Sequence, residues 1–128
     1  MNAVLLDTHI LLWWLQGGSK LSLKARTIIL DTEAKVLVSA ASAWEIAIKV
    51  KAGKLDAGGL VARFHSVLDD NRFIELPVTA THALRAGLLE GSHRDPFDRM
   101  LIAQAQVEDM PIISNDKAFD EFSVRRVW

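Results

Sequence analysis

An α/β fold with a small central parallel sheet is predicted by three observations. Short apolar runs alternate with segments of helical periodicity along the whole chain, the pattern of a sheet built from crossover units. The runs are continuously apolar rather than alternating, as strands buried on both faces require. Most glycines and all three prolines fall between the segments or at their first residue.

In chain order, Ala3–Leu6 reads as a buried strand and Thr8–Gln16 as a short helix stopped by Gly17 and Gly18. Leu23, Ala25, Ile28 and Leu30 give Ser22–Asp31 helical spacing. Val36–Ser39 is a second buried strand, and Ser42–Ala52 a helix ending at Gly53. Leu60, Phe64, Val67 and Leu68 share one face of a helix over Leu60–Asn71. Phe73–Leu76 is a strand closed by Pro77, and Thr79–Leu89 a helix. Pro96–Glu108 is the clearest helix, with Asp95 before it, Pro at its first position, and Phe97, Leu101, Ile102 and Ala105 on its apolar face. Pro111–Ser114 is a strand, Asp116–Phe119 a helical turn and Val124–Val127 a final strand.

A chain of 128 residues suits one domain, expected to span 1–128. No apolar run is long enough to cross a bilayer, and the N-terminal residues lack the basic segment of a signal peptide. Cysteine is absent, which excludes disulfides, thiol catalysis and cysteine-based zinc sites. A cytoplasmic location with no membrane partner is expected. The formal net charge of −1 does not announce a nucleic-acid binder. With Asp7, Glu45, Asp98 and Asp116 set aside, however, the remainder is +3.

Those four acids are the informative feature. Asp7, Glu45 and Asp116 follow predicted strands, and Asp98 lies in the first turn of the clearest helix. In an open parallel sheet the carboxyl ends of the strands are where ligands bind. Two carboxylates ~4 Å apart at an effective dielectric of ~20 repel by about 4 kcal/mol, so a gathered set calls for protons or a divalent cation. Each acid also has a structural reading. Asp7 and Asp116 could cap the helical segments that follow them. Ser42 and Glu45 fit a capping box, and Glu45 and Lys49 an i,i+4 ion pair. Asp98 suits the positive end of a helix dipole. Capping explains each acid singly but not their shared strand-end setting.

Oxygen ligands suit Mg²⁺ or Mn²⁺, and such a site suits phosphoryl chemistry. There is no GxxxxGK[ST] and no GxSxG, and Asp7-Thr8-His9 lacks the second Asp of haloacid-dehalogenase-type phosphatases. Phosphodiester hydrolysis by metal-activated water is the reading left. His65 and His82 read as helix-surface or packing residues. His9 and His93 lie near Asp7 and Asp98 in sequence, as substrate contacts or local hydrogen-bond partners.

Four blocks then resemble, in order, the PIN domain of VapC-type toxins: Leu6-Asp7-Thr8-His9 with Leu12-Trp13-Trp14-Leu15, Val38 through Lys49, His93 through Ala105, and Ile113-Ser114-Asn115-Asp116. The resemblance covers essentially the whole chain. It implies a PIN-like three-layer α/β/α fold and an Mg²⁺- or Mn²⁺-dependent endoribonuclease acting as the toxin of a type II toxin–antitoxin pair. Carried over by position, Asp7, Glu45, Asp98 and Asp116 form the catalytic, metal-binding quartet, with Asp7 and Asp98 as direct ligands. Thr8 and Asn115 become supporting or substrate contacts, and Arg99 a residue that orients the acids or meets phosphate. Many relatives carry Thr where this chain has Ser114. The implied partners are RNA, a cognate antitoxin and a second copy of the chain. Trp13 and Trp14, adjacent and so ~100° apart on a helix, are either interface or core residues, and Trp44 is expected in the core. A PIN nuclease of RNA maturation and a binding module without catalysis are the alternatives.

Overall fold

A computed structural model describes residues 2–128. Five strands, β1 (Asn2–Leu6), β2 (Ala34–Ser39), β3 (Ile74–Leu76), β4 (Ile112–Ile113) and β5 (Arg126–Val127), form one sheet of order β3-β2-β1-β4-β5. Every pairing is parallel. From β1 the chain builds outward to β2 and β3, then returns to lay β4 and β5 on the opposite side. The strand order therefore reverses between β1 and β4, the place where α/β sheets open a crevice.

The helices are α1 (Thr8–Leu15), α2 (Leu23–Leu30), α3 (Ala40–Lys51), α4 (Gly58–Ala62), α5 (Phe64–Asp70), α6 (Ala80–Leu88) and α7 (Pro96–Val107), with a 3₁₀ turn at Lys117–Glu121. They cover both faces of the sheet. Successive strand residues point to opposite faces, and the core divides accordingly. Val4, Leu6, Val36, Val38 and Ile113 pack with Ile10, Leu11, Ala25, Ile29 and Ile46. Leu5 and Ile112 pack with Leu101, Ile102, Ala105, Phe119 and Phe122. The three-layer α/β/α arrangement follows directly. Each fully buried Leu or Ile in these layers contributes ~1.5–3 kcal/mol from apolar burial.

Three local expectations are corrected. The helix expected over 60–71 is two helices, because Arg63 leaves the helical region at φ −126°, ψ 29°. Leu60, Phe64 and Leu68 still face the core across the break, so apolar spacing alone does not register it. The helix expected at Ser42 begins at Ala40, capped by Ser39, whose side chain accepts from the Ala41 amide. Ser42 is thus inside the helix, and no capping box joins it to Glu45. Trp44 is 65% exposed rather than in the core. Helix α3 buries Ala41, Ser42, Glu45 and Ile46, and a residue one step before Glu45 points ~100° away from it.

Trp13 and Trp14 are half-buried. Trp13 lies 6.2 Å from the Trp128 ring, and Trp14 donates Nε1–H to Asn71 Oδ1 at 3.0 Å. Both lie against the first core layer. His82 is buried: its Nδ1 accepts from the Thr79 amide at 3.1 Å, and its Nε2 lies 2.8 Å from Glu108 Oε2. His65 stays on the surface.

Candidate active site

Asp7 directly follows β1 and occupies the N-cap position of α1, yet its carboxylate caps nothing. It accepts instead from Ser114 Oγ at 2.8 Å, on the far side of the strand-order reversal. The capping reading of Asp7 is thereby replaced by a tie between β1 and the end of β4. Ser114 Oγ accepts in turn from the Asp116 amide at 3.0 Å, and Asp116 Oδ1 caps the 3₁₀ turn through the Ala118 amide at 3.0 Å.

Glu45 is buried on α3, and its Oε2 accepts from Lys49 Nζ at 2.5 Å, the expected i,i+4 pair. Hydrogen bonding to Glu45 raises the Lys49 pKa, and Asp95 and Asp98 add to the rise. Asp98 sits in the first turn of α7, whose N-cap is Asp95, accepting from the Phe97 and Asp98 amides. Asp98 Oδ2 meets His93 Nε2 at 2.8 Å.

One pattern unites the four acids. Each has one oxygen fastened by a protein donor, and no donor among the described residues meets the other. For Asp7 Oδ1 and Glu45 Oε1 the free oxygen is also buried. A buried acceptor without a partner costs ~1–3 kcal/mol, more when charged. The acids also act on one another. Burial raises the Asp7 pKa, with Glu45 and Asp116 pushing the same way and Ser114 and His9 opposing. Burial pushes the Asp98 carboxyl up to about 6, opposed by the His93 hydrogen bond and reinforced by Asp7 and Asp95. His93, Asp98 and Asp116 place ligand atoms within 4.8 Å of one another.

These residues fit a hard divalent cation. The free donors are carboxylate oxygens that lack protein partners, as Mg²⁺ or Mn²⁺ coordination needs. Around them, Thr8 is buried with its hydroxyl 2.8 Å from Ser42 Oγ. Asn115 is exposed beside Asp116. Arg99 gives its guanidinium to the carbonyls of His93, at 2.6 Å, and Leu89. His9 is exposed, 6.3 Å from the Trp13 ring. Sequence reasoning did not single out Ser114, or choose His93 over His9. The one available signal was proximity, two residues before Asp116 and five before Asp98.

An all-parallel α/β sheet whose strand order reverses between β1 and β4, with Asp7 and Asp116 just beyond those strands, defines the α/β class of protein to which the chain belongs. More narrowly, the PIN domain family model matches residues 4–124, and the chain belongs to the PIN domain family. Its fold is similar to a chain of VapBC2 from Rickettsia felis bound to a DNA fragment from its promoter, at 15% identity, 98% coverage of each chain and a TM-score of 0.74. It is similar to a chain of DNA-bound VapBC from Salmonella typhimurium, at 16% identity, covering 99% of this chain and 98% of the other, with a TM-score of 0.72. It is also similar to VapC20 of Mycobacterium tuberculosis, a sarcin-ricin loop cleaving toxin, at 14% identity, covering 95% and 98%, with a TM-score of 0.66. Comparison with curated proteins by sequence gives no match.

Proposed function

We propose that this chain is an Mg²⁺- or Mn²⁺-dependent endoribonuclease and the toxin of a type II toxin–antitoxin pair. The observation that carries the reading is the half-fastened state of Asp7, Glu45, Asp98 and Asp116, with Asp7 acting electrostatically on the other three. Asp7 and Asp98 are the direct ligands in this reading, with Glu45 and Asp116 completing the set. A bound divalent cation supplies Lewis acidity, activating water and offsetting charge on the scissile phosphodiester.

The residues around it hold, orient and move protons. Ser114 and His93 fix the planes of Asp7 and Asp98. Asp116 is half-buried with Oδ2 free of a hydrogen-bond donor, and accepts the proton of the attacking water. The Thr8–Ser42 hydroxyl pair ties the start of α1, directly after Asp7, to α3, and exposed Asn115 offers its amide to the substrate.

RNA as substrate is supported by the similarity to a sarcin-ricin loop cleaving toxin, and an antitoxin partner by the similarity to VapBC chains. No helix among the described residues is long and apolar enough to cross a membrane; the cytoplasmic site of action follows from the toxin reading. A homodimer is supported by an apolar groove of about 470 Å³ that includes Trp44, Ala83, Ala86, Phe97 and Met100. Trp44 meets Phe97 edge-on there at 5.1 Å while remaining mostly exposed.

The test is cleavage of total RNA by purified protein. Products are expected only with Mg²⁺ or Mn²⁺, and none from Asp7→Asn at matched purity. Cleavage that persists in excess chelator, or in that variant, overturns the reading.

A further inference from the structure

We propose, resting on the nuclease reading above, that His93 is a positioning residue whose Nε2–H aims the Asp98 carboxylate at the cation. The contact is 2.8 Å to Asp98 Oδ2. An ionised carboxylate only accepts, so Nε2 carries the proton. That bond occupies one oxygen and fixes the carboxylate plane, so Oδ1 is left for metal. Such hydrogen bonds to ligating carboxylates typically govern ~10–100-fold in metal affinity.

The loop carrying His93 explains why the contact is more than incidental. Residues 89–95 form no helix or strand, yet several elements tie them down. Arg99, adjacent to Asp98 on α7, donates to the carbonyls of Leu89 and His93. Glu121, in the 3₁₀ turn, accepts from the Ser92 amide at 2.6 Å and the Ser92 hydroxyl at 2.9 Å. The imidazole lies edge-on to Phe119 at 6.0 Å and to Phe122 at 6.4 Å. The Arg99 guanidinium stacks over Phe122 at 5.7 Å.

Gly91 permits this closure. Its φ is +122°, and a Cβ there would collide with Glu121 Oε1 and come within 3.0 Å of the Phe122 ring. Side chains from α7 and the 3₁₀ turn thus converge to hold one ring nitrogen against one acid. Asp7 and Glu45 take their side-chain donors from a strand end and a helix, which need no such clamp.

Calorimetric titration of Mn²⁺ into the wild type, His93→Gln and His93→Leu tests the assignment, with the melting temperature of each metal-free protein measured alongside. Gln keeps an N–H donor near the ε position, whereas Leu fills the space against Phe119 and Phe122 without donating. His93→Leu is expected to weaken Mn²⁺ binding ~10–100-fold, and His93→Gln to restore most of it. Should the Leu variant not fold, His93→Asn replaces it, with the same amide one methylene too short.

Wild-type Mn²⁺ affinity in His93→Leu, or equal losses in Leu and Gln, overturns the positioning role. A fall in melting temperature with Mn²⁺ affinity unchanged shows a merely structural ring and overturns it too. A wild type that binds no Mn²⁺ overturns the parent reading, an outcome distinguishable from all of these.

Discussion

Ser114 Oγ donates to Asp7 Oδ2 at 2.8 Å, joining residues 107 positions apart across the boundary where the strand order turns back on itself. The same hydroxyl accepts from the Asp116 amide. One buried serine therefore sets the positions of two of the four acids. Ser114→Ala leaves both Asp7 oxygens buried without a donor. It is expected to destabilise the metal-free protein by ~1–3 kcal/mol at neutral pH, measured by urea denaturation. Ser114→Thr retains the hydroxyl and is expected to lie close to the wild type. An alanine variant as stable as the wild type would show that the bond does not hold Asp7.

The raised acids give the metal-free protein a pH dependence opposite to that of ordinary ion-paired carboxylates. Burial lifts Asp7 and pushes Asp98 up to about 6, whereas an unfolded Asp titrates near ~3.9. Between those values the folded chain binds more protons than the unfolded one, so this contribution to stability falls as pH rises from about 4 to about 6. A cation replaces the protons. Melting curves with and without Mn²⁺ should therefore diverge above about pH 6 and converge toward pH 4, as protons compete for the same oxygens. A Mn²⁺ effect that is independent of pH would rule these acids out as its origin.

Exposed Trp44 and half-buried Phe97 separate surface from core. Trp44 is 65% exposed and meets Phe97 edge-on at 5.1 Å, so truncation removes little buried area. Trp44→Glu is expected to change monomer stability by less than ~1 kcal/mol. In the proposed dimer it would bury a charge in an apolar groove, and sedimentation velocity should show a monomer where the wild type is a dimer. Unchanged sedimentation would place the dimer contact elsewhere.

The strands were legible because parallel strands buried on both faces are nearly continuous apolar runs, as Val4-Leu5-Leu6 and Ile112-Ile113 are. Their order was not, since periodicity carries no information about which runs are neighbours. The acids were legible as candidates through their positions after apolar runs, and Asp7, Asp98 and Asp116 do lie at strand ends or a helix start, whereas Glu45 lies in the middle of α3. What fastens each was only partly so. The Glu45–Lys49 bond is local and followed from i,i+4 spacing, whereas the Asp7–Ser114 bond depends on the strand order. Trp44 departs from the core expectation because hydrophobicity alone does not dictate burial. On α3 the inward face instead carries Ser42 and Glu45, polar residues that pair with Thr8 and Lys49.

In the proposed nuclease the free oxygens of Asp7, Glu45, Asp98 and Asp116 form one cation site. Anomalous diffraction from a crystal of the protein soaked in Mn²⁺ tests this most directly. A single dominant peak is expected, coordinated by Asp7 and Asp98, reached directly or through water by Glu45 and Asp116, and lost in Asp7→Asn crystals. A peak away from these carboxylates, or one that survives the loss of the Asp7 charge, would contradict it.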